Sequence, residues 1–191
     1  MKQSAANQEL KQAVGVRAAG YVESGHVVGL GTGSTAAFFV QELGRRQTHE
    51  GLRITCVATS FSSSVLASQS GLTVLPLESF EHIDISVDGA DEIDPVLNLI
   101  KGGGAAHTRE KLVHAMSRRF IVIADDSKRS AKLGTKFRVP VECIVSSVNF
   151  VQRRIIEMGG QCELRMARSG KDGPIVTDNG NLVIDVSMDI S

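Results

Sequence analysis

Two rhythms of apolar residues alternate along the chain. In residues 7–22, Leu10, Val14, Ala18 and Val22 fall four apart, the spacing of a helical stripe. A short apolar run, HVVGL (26–30), follows, then a glycine turn, then a helical stretch from about Ser34 to Arg46. RITCVAT (53–59) predicts a second strand, leading into a serine-rich turn, SFSSS (60–64), and a short helix holding Val65 and Leu66. After TVLPL, the stretch IDISVDGADEID (83–94) predicts a buried strand ending in a dense acidic turn. LNLI follows, and KGGGAAHTREKLVHAMSRR (101–119) is a glycine turn opening a helix, before the apolar strand RFIVIADDSK. Strands alternating with helices at this spacing predict an α/β, Rossmann-like domain, a mainly parallel sheet with helices on both faces.

The pattern changes near Gly134, which divides the chain into an expected larger domain at 1–134 and a smaller one at 135–191. RVPVECI reads as a strand, SVNFVQRRIIEMGG as a helix with a glycine stop, and QCELRMA as another strand. A polar loop, RSGKDG (168–173), precedes PIVTDNGNLVIDV, whose Asn179-Gly180 pair is a strong hairpin signal. Strand, helix, strand, strand is the opening part of a split βαβ, or ferredoxin-like, α+β unit. Its second helix and last strand do not follow, so the small domain reads as incomplete and the natural protein is expected to be longer.

Composition narrows the function classes. In 191 residues, Lys+Arg and Asp+Glu are 21 each, so the formal net charge is zero. A general nucleic-acid binder needs an excess of cations, so no nucleic-acid partner is expected. Aromatics are 4% with no Trp, which supplies few stacking platforms. The three cysteines, Cys56, Cys143 and Cys162, are widely spaced and read as core residues rather than a disulfide framework or zinc knuckle. The first residues lack the apolar segment of a signal peptide, and no apolar run reaches the length of a membrane helix. The expectation is a cytoplasmic protein with no membrane partner.

Glycine, at 19 residues, gathers in two clusters where chemistry is expected. The first runs Gly29-Leu30-Gly31-Thr32-Gly33-Ser34-Thr35-Ala36, from the end of a strand into a helix. Backbone N–H groups, a helix N-terminus and the hydroxyls of Ser34 and Thr35 together make a cradle for an anion such as a phosphate. A dinucleotide site would also want a carboxylate at the end of the second strand, where Val57-Ala58-Thr59-Ser60 stands instead, and a P-loop would want a lysine after the glycines. A single phosphoryl group fits better than a nucleotide; a tight turn without a ligand is the plain alternative.

Asp88-Gly89-Ala90-Asp91-Glu92 ends the third predicted strand, where open α/β sheets place their ligand crevices. Crowded carboxylates suit acid/base work, a magnesium site or a merely solvated turn, and spacing alone does not separate the three. Lys101-Gly102-Gly103-Gly104 is the second cluster, offering a cation and backbone donors. Glu110, two helical turns on, points into the same crevice or pairs at the surface with Arg109 or Lys111; taken alone, the surface is favoured. His107, Glu110 and His114 share one helical face, but the zinc motif H-E-x-x-H is missing. Lys128, in ADDSK, ends another strand and reads as a crevice lysine or an ordinary surface one.

VGLGTGSTA, SVDGADEID, KGGGAAHTREK and IADDSK, in that order and spacing, resemble the type A ribose-5-phosphate isomerases. The likeness runs from residue 9 to residue 186 and includes the VTDNGNLVIDV hairpin. It implies an aldose–ketose isomerase of the pentose phosphate pathway, acting on a small-molecule sugar phosphate without a metal or other cofactor. By the same resemblance, Glu110 matches the general base. Thr32, Gly33, Ser34 and Thr35, Asp88, Gly89, Ala90 and Asp91, and Lys101, Gly102, Gly103 and Gly104 match substrate-binding loops. Lys128 matches a substrate-contacting lysine and Lys11, within ELKQAV, a lysine near the phosphate. Asp88, Asp91 and Lys101 join Glu110 in the implied chemistry. Family members are homodimers or homotetramers, and they continue past the hairpin through a further helix and strands. A non-catalytic sugar-phosphate sensor is the alternative, although such a module has no need of a base at Glu110. A nicotinamide-dependent oxidoreductase is weakened by the missing ribose carboxylate.

Overall fold

The computed structural model describes residues 5–167 and 170–189, so Arg168 and Ser169 of the expected polar loop, and residues 1–4 and 190–191, lie outside the described residues. In chain order the elements begin α1 (Ala5–Ala19), β1 (Val27–Leu30), α2 (Ser34–Glu50), β2 (Thr55–Ala58), α3 (Phe61–Gln69) and β3 (Ile83–Asp88). They continue with β4 (Glu92–Ile93), β5 (Leu99–Ile100), α4 (His107–Ala115), β6 (Ser117–Val122), β7 (Val139–Cys143), α5 (Val148–Glu157), β8 (Gln161–Leu164) and β9 (Leu182–Ser187). They form two compact units, Met1–Gly89 with Thr108–Ser127, and Ala90–His107 with Lys128–Ser191.

In the first unit a parallel sheet has the order β2-β1-β3-β6. Successive strand side chains point to opposite faces, and both faces are covered, as the alternating pattern requires. Val28, Leu30, Cys56, Ile85 and Val87 pack with Phe39, Val40 and Leu43 of α2, with Ala18 and Ala19 of α1 and with Ala67 of α3. Val57 and Ile83 pack with Val113 of α4.

Local departures from the sequence pattern have identifiable causes. Leu10 is 59% exposed and Lys11 only 6% exposed. With 3.6 residues per turn, positions spaced by four creep about 40° each, so the far end of such a stripe rotates off the core face. The serine-rich stretch is not a turn, because α3 starts at Phe61. Ser60 caps the helix: its Oγ accepts the Ser63 N–H at 3.1 Å, and the Ser63 Oγ accepts the Ser60 N–H at 3.1 Å. Hydroxyls that compete with helix in its interior close a capping box at its start. The helix expected to reach Arg119 stops at Ala115, and Ser117 already pairs with Ile83 in the sheet.

In the second unit β9 lies between β7 and β8, antiparallel to both. β7 and β8, joined by α5, therefore run parallel to each other, the split arrangement the pattern predicts. Ile155, Val148 and Val151 of α5 cover this small sheet against Cys143, Ile184 and Val186. β4 and β5 form a short antiparallel hairpin that the sequence hides inside an acidic turn and the LNLI run. The hairpin expected at Asn179-Gly180 is only partly strand. Its first arm is held by an isolated bridge of Val176 to Leu182, and Thr177 N–H donates to the Asn181 carbonyl at 2.9 Å. Gly180 takes φ 76°, so the turn is a three-residue loop with glycine in the left-handed region. Glu142 Oε1 explains the wider loop, since it accepts from Thr177 Oγ1 at 2.8 Å, Asn179 Nδ2 at 3.0 Å and Asn181 Nδ2 at 2.9 Å.

Glu92 on β4 is fully buried and accepts the backbone N–H groups of Gly134 at 2.9 Å and Lys136 at 3.1 Å. Burial by itself pushes its carboxyl up, but the Ser130 hydroxyl and the N–H groups of Lys136, Gly134 and Phe137 outweigh it and hold the pKa below the usual value. A carboxylate depressed on folding adds stability above its unfolded pKa and loses it as pH falls through the folded one. Glu92→Gln, which turns an amide donor toward backbone donors, is expected to cost about 1–3 kcal/mol at neutral pH. The gap to the wild type should narrow on acidification, as thermal melts across a pH series will show.

Candidate active site

The parallel strands of the first unit deliver β1, β2 and β3 to one edge, and the loops leaving their C-terminal ends carry most of the expected site. Gly31 follows β1 and its N–H donates to the Val87 carbonyl at 2.9 Å. A side chain at Gly31 would run into the Asp88 carboxylate and the Asp88 Cα, so only glycine permits this approach. Asp88, fully buried, uses the closeness: its Oδ1 accepts the N–H of Thr32 at 3.0 Å and of Gly89 at 2.7 Å. Thr32 Oγ1 donates to Ser60 Oγ at 2.8 Å and lies 2.8 Å from Thr59 Oγ1. The end of β2, which holds no ribose-binding carboxylate, instead supplies two hydroxyls that anchor the glycine loop from the other side.

Gly33 is the N-cap of α2, with no side chain capping the helix, and Gly33 and Ser34 are exposed. The buried Lys11 Nζ donates to Ser34 Oγ at 3.2 Å, bringing a cation from α1 to the α2 N-terminus. A helix N-terminus, hydroxyls and an ammonium group in one place attract an anion. Lys11, Thr32, Gly33, Ser34, Thr35, Asp88 and Gly89 are thus brought to one edge of the first unit.

Glu110 belongs to the same unit and is 4% exposed. It does not lie at the surface, as the helix taken alone favoured. One turn further along α4, His114 lies on the same helical face. Its Nε2 is 3.1 Å from Asp88 Oδ2 and its Nδ1 is 3.1 Å from Ser86 Oγ, while the ring stacks on Phe120 with centroids 4.0 Å apart. His114 is therefore engaged with a carboxylate and a hydroxyl. Among the described residues no group of three or more His, Cys, Asp or Glu is arranged to hold a metal ion. Burial holds the His107 imidazole below its usual pKa, with Glu142 opposing the shift and Arg165 adding to it.

The remaining expected residues lie in the second unit. Asp91 Oδ2 accepts the Gly103 N–H at 2.7 Å, and the Asp91 N–H donates to the Ile100 carbonyl at 2.8 Å. The acidic turn and the Lys101–Gly104 loop are joined there directly. Arg165 Nη1 donates to the carbonyls of Gly102 at 2.8 Å and Gly103 at 3.3 Å, and its Nε to Asp185 Oδ2 at 2.9 Å. Asp91, Gly103 and Arg165 border a cavity of about 980 Å³ that Lys136, Arg138 and Asp185 also line. Lys128 precedes Arg129, which bridges to Ile93, and the Ser130 N–H donates to the Ile93 carbonyl at 2.8 Å. Ala90, half-buried, opens the second unit next to Asp91.

Sequence reasoning overlooked four contributors: Thr59, Ser60, Arg165 and the tie from His114 to Asp88. Thr59 and Ser60 carried a usable signal, being hydroxyls at the C-terminal end of the strand beside the glycine loop. Arg165 carried none, because the glycine-loop carbonyls it meets stand more than sixty residues away in the chain.

The family model of ribose 5-phosphate isomerase A (phosphoriboisomerase A) matches residues 55–191. Ribose-5-phosphate isomerase A of Thermosynechococcus vestitus is 52% identical over 183 residues, which is 95% of this chain and 77% of that protein. The protein of the same name from Methanosarcina acetivorans is 50% identical over 180 residues, covering 94% of this chain and 76% of its own length. The solved structure of ribose 5-phosphate isomerase A from Methanocaldococcus jannaschii matches with a TM-score of 0.93 at 46% identity, over 97% of this chain and 82% of that one. A D-ribose-5-phosphate isomerase in complex with phospho-erythronic acid matches with a TM-score of 0.90 at 39% identity, over 94% of this chain and 79% of that one. The chain belongs to the ribose 5-phosphate isomerase A family.

Proposed function

We propose that the chain interconverts D-ribose 5-phosphate and D-ribulose 5-phosphate through an enediolate, with Glu110 as the base. The isomerase activity follows from family membership. The assignment of roles rests chiefly on one observation: Glu110 is a carboxylate 4% exposed, on the helix face whose next turn grips Asp88 and, through it, the glycine loop. A buried carboxylate beside a ligand crevice is a candidate for acid/base work.

Moving the carbonyl from C1 to C2 requires removing a proton from C2 and returning it to C1. One carboxylate on one face of the intermediate can do both, Glu110 taking the proton and giving it back. The charge that develops on the enediolate oxygen is assigned to Lys101 and to donors of the Gly102–Gly104 loop other than the Gly103 N–H, which Asp91 already holds. The phosphate is held by Thr32–Thr35 and the α2 N-terminus, with Lys11 beside Ser34. Gripping the phosphate away from the reacting carbons supplies binding energy for their positioning. Asp88, Gly89, Ala90 and Asp91 orient sugar hydroxyls, one carboxylate relaying protons as the ring opens, and Lys128 adds a further contact. The pathway served is the pentose phosphate pathway, in the cytoplasm, with the chain acting as a homodimer or homotetramer. No helix among the described residues is long and apolar enough to cross a membrane.

Glu110→Gln should lower turnover by at least ~10²-fold, the usual worth of a positioned base. Binding of phospho-erythronic acid, measured by calorimetry, should persist. Near-normal turnover in that variant would remove Glu110 from the mechanism. Because a lysine and backbone donors take the enediolate charge, exhaustive chelation should leave the isomerase rate unchanged. Activity lost on chelation and restored by magnesium would reassign the acidic turn to a metal.

A further inference from the structure

The expected chemistry leaves one buried group without a task. His114 is inside the first unit, its side chain 9% exposed, and it meets Asp88, Ser86 and Phe120. We propose that His114 is a positioning residue for the isomerase reaction: it locks α4, and with it Glu110, to the carboxylate that shapes the phosphate loop. The proposal builds on the role of Glu110 argued above.

Three contacts fix the ring. Ser86 and Asp88 are two residues apart on β3, so their side chains share the face that meets α4. His114 bonds both, through Nδ1 and Nε2, at 3.1 Å each. Phe120 of β6 lies flat against the ring, with an interplanar angle of 13°. An ionised Asp88 can only accept, so Nε2 carries a ring proton; in that tautomer the Nδ1 lone pair faces the Ser86 hydroxyl as acceptor. That single tautomer satisfies both bonds.

The consequence for Asp88 is equally specific. Its side chain is wholly buried, and a buried carboxylate is costly unless its oxygens are hydrogen-bonded. Oδ1 serves the N–H groups of Thr32 and Gly89, and His114 takes Oδ2. The chain of contacts therefore runs from the Thr32 backbone through Asp88 to His114, and along one turn of α4 to Glu110. Loss of the Nε2 donor leaves the phosphate loop held by Asp88 Oδ1 and by Thr59 and Ser60, but frees α4 to shift against β3. A shift of the order of 1 Å at a catalytic group can cost about 10²-fold in rate. The damage belongs in turnover, not in phosphate affinity.

The test compares three variants of the full chain with the wild type. His114→Leu removes the donor and keeps the bulk; His114→Gln places an amide N–H where Nε2 stood; Ser86→Ala removes only the Nδ1 partner. His114→Leu is expected to lose about 10- to 100-fold in kcat, with the competitive inhibition constant of phospho-erythronic acid within about threefold of wild type. His114→Gln should restore most of the lost turnover, and Ser86→Ala should show a smaller loss of the same kind with little change in Tm. Nitrogen NMR of the wild-type ring should show a protonated Nε2 and an unprotonated Nδ1, a readout independent of activity. A purely packing role predicts equal turnover in the Leu and Gln variants, and that result overturns the proposal. So does a proton on Nδ1, or a loss in His114→Leu that appears equally in inhibitor affinity. Should His114→Leu not fold, the same ranking is read from Ser86→Ala against His114→Gln and from the tautomer, either of which can refute it. Failure of the base assignment itself is read separately, from full activity in Glu110→Gln.

Discussion

The first unit is organised around a carboxylate that never reaches solvent. Asp88 stands at the end of β3 with glycine on both sides of its reach: Gly31 lets β1's loop approach, and Gly89 donates its own N–H. A buried charge must be met by donors, and the donors here are the backbone of the glycine loop and the ring of His114. Solvating one side chain therefore shapes a loop and anchors a helix at once. The same contacts that keep the ion tolerable in the interior give the site its form.

The second unit repeats the principle with other residues. Glu92 gathers the backbone of 134–136, Glu142 gathers the side chains of the TDNGN turn, and Asp185 holds the Arg165 guanidinium that takes the carbonyls of Gly102 and Gly103. Each is an acidic side chain on a short strand, stabilising a segment that has too few apolar residues to be held by packing. Short strands and long loops make a small hydrophobic core, so polar contacts carry more of the order. This is also why the glycine loop can be both open and well defined: Asp91 and Arg165 bind its N–H and its carbonyls.

For an isomerase this division of labour has a chemical use. Enediolate chemistry needs a base, an oxyanion partner and a distant anchor, each in a fixed place, and none of them need be redox-active. Rigid backbone donors cost no reorganisation as charge develops.

Period and punctuation made much of the architecture legible. The apolar runs at Val27–Leu30 and Ile83–Asp88 read correctly as strands of a parallel sheet, and the strand at Ser117–Val122 was read as starting only at Arg119. The glycine clusters and acidic turn marked the residues of interest, because glycine and carboxylates in such places have few other uses. Lys11 was legible only by likeness, and Glu110 only as one of two orientations, since a helix seen alone does not say which face is buried. Tertiary structure decided those questions: the slow rotation of a four-residue repeat turned Leu10 out and Lys11 in, and the packing of α4 on β3 enclosed His114 while Glu110 is buried. Local sequence determines period, caps and turns, whose energies involve neighbours along the chain. Partners such as Asp88 with His114, or Arg165 with Gly102, are far apart in sequence, and only the folded sheet makes their contact possible.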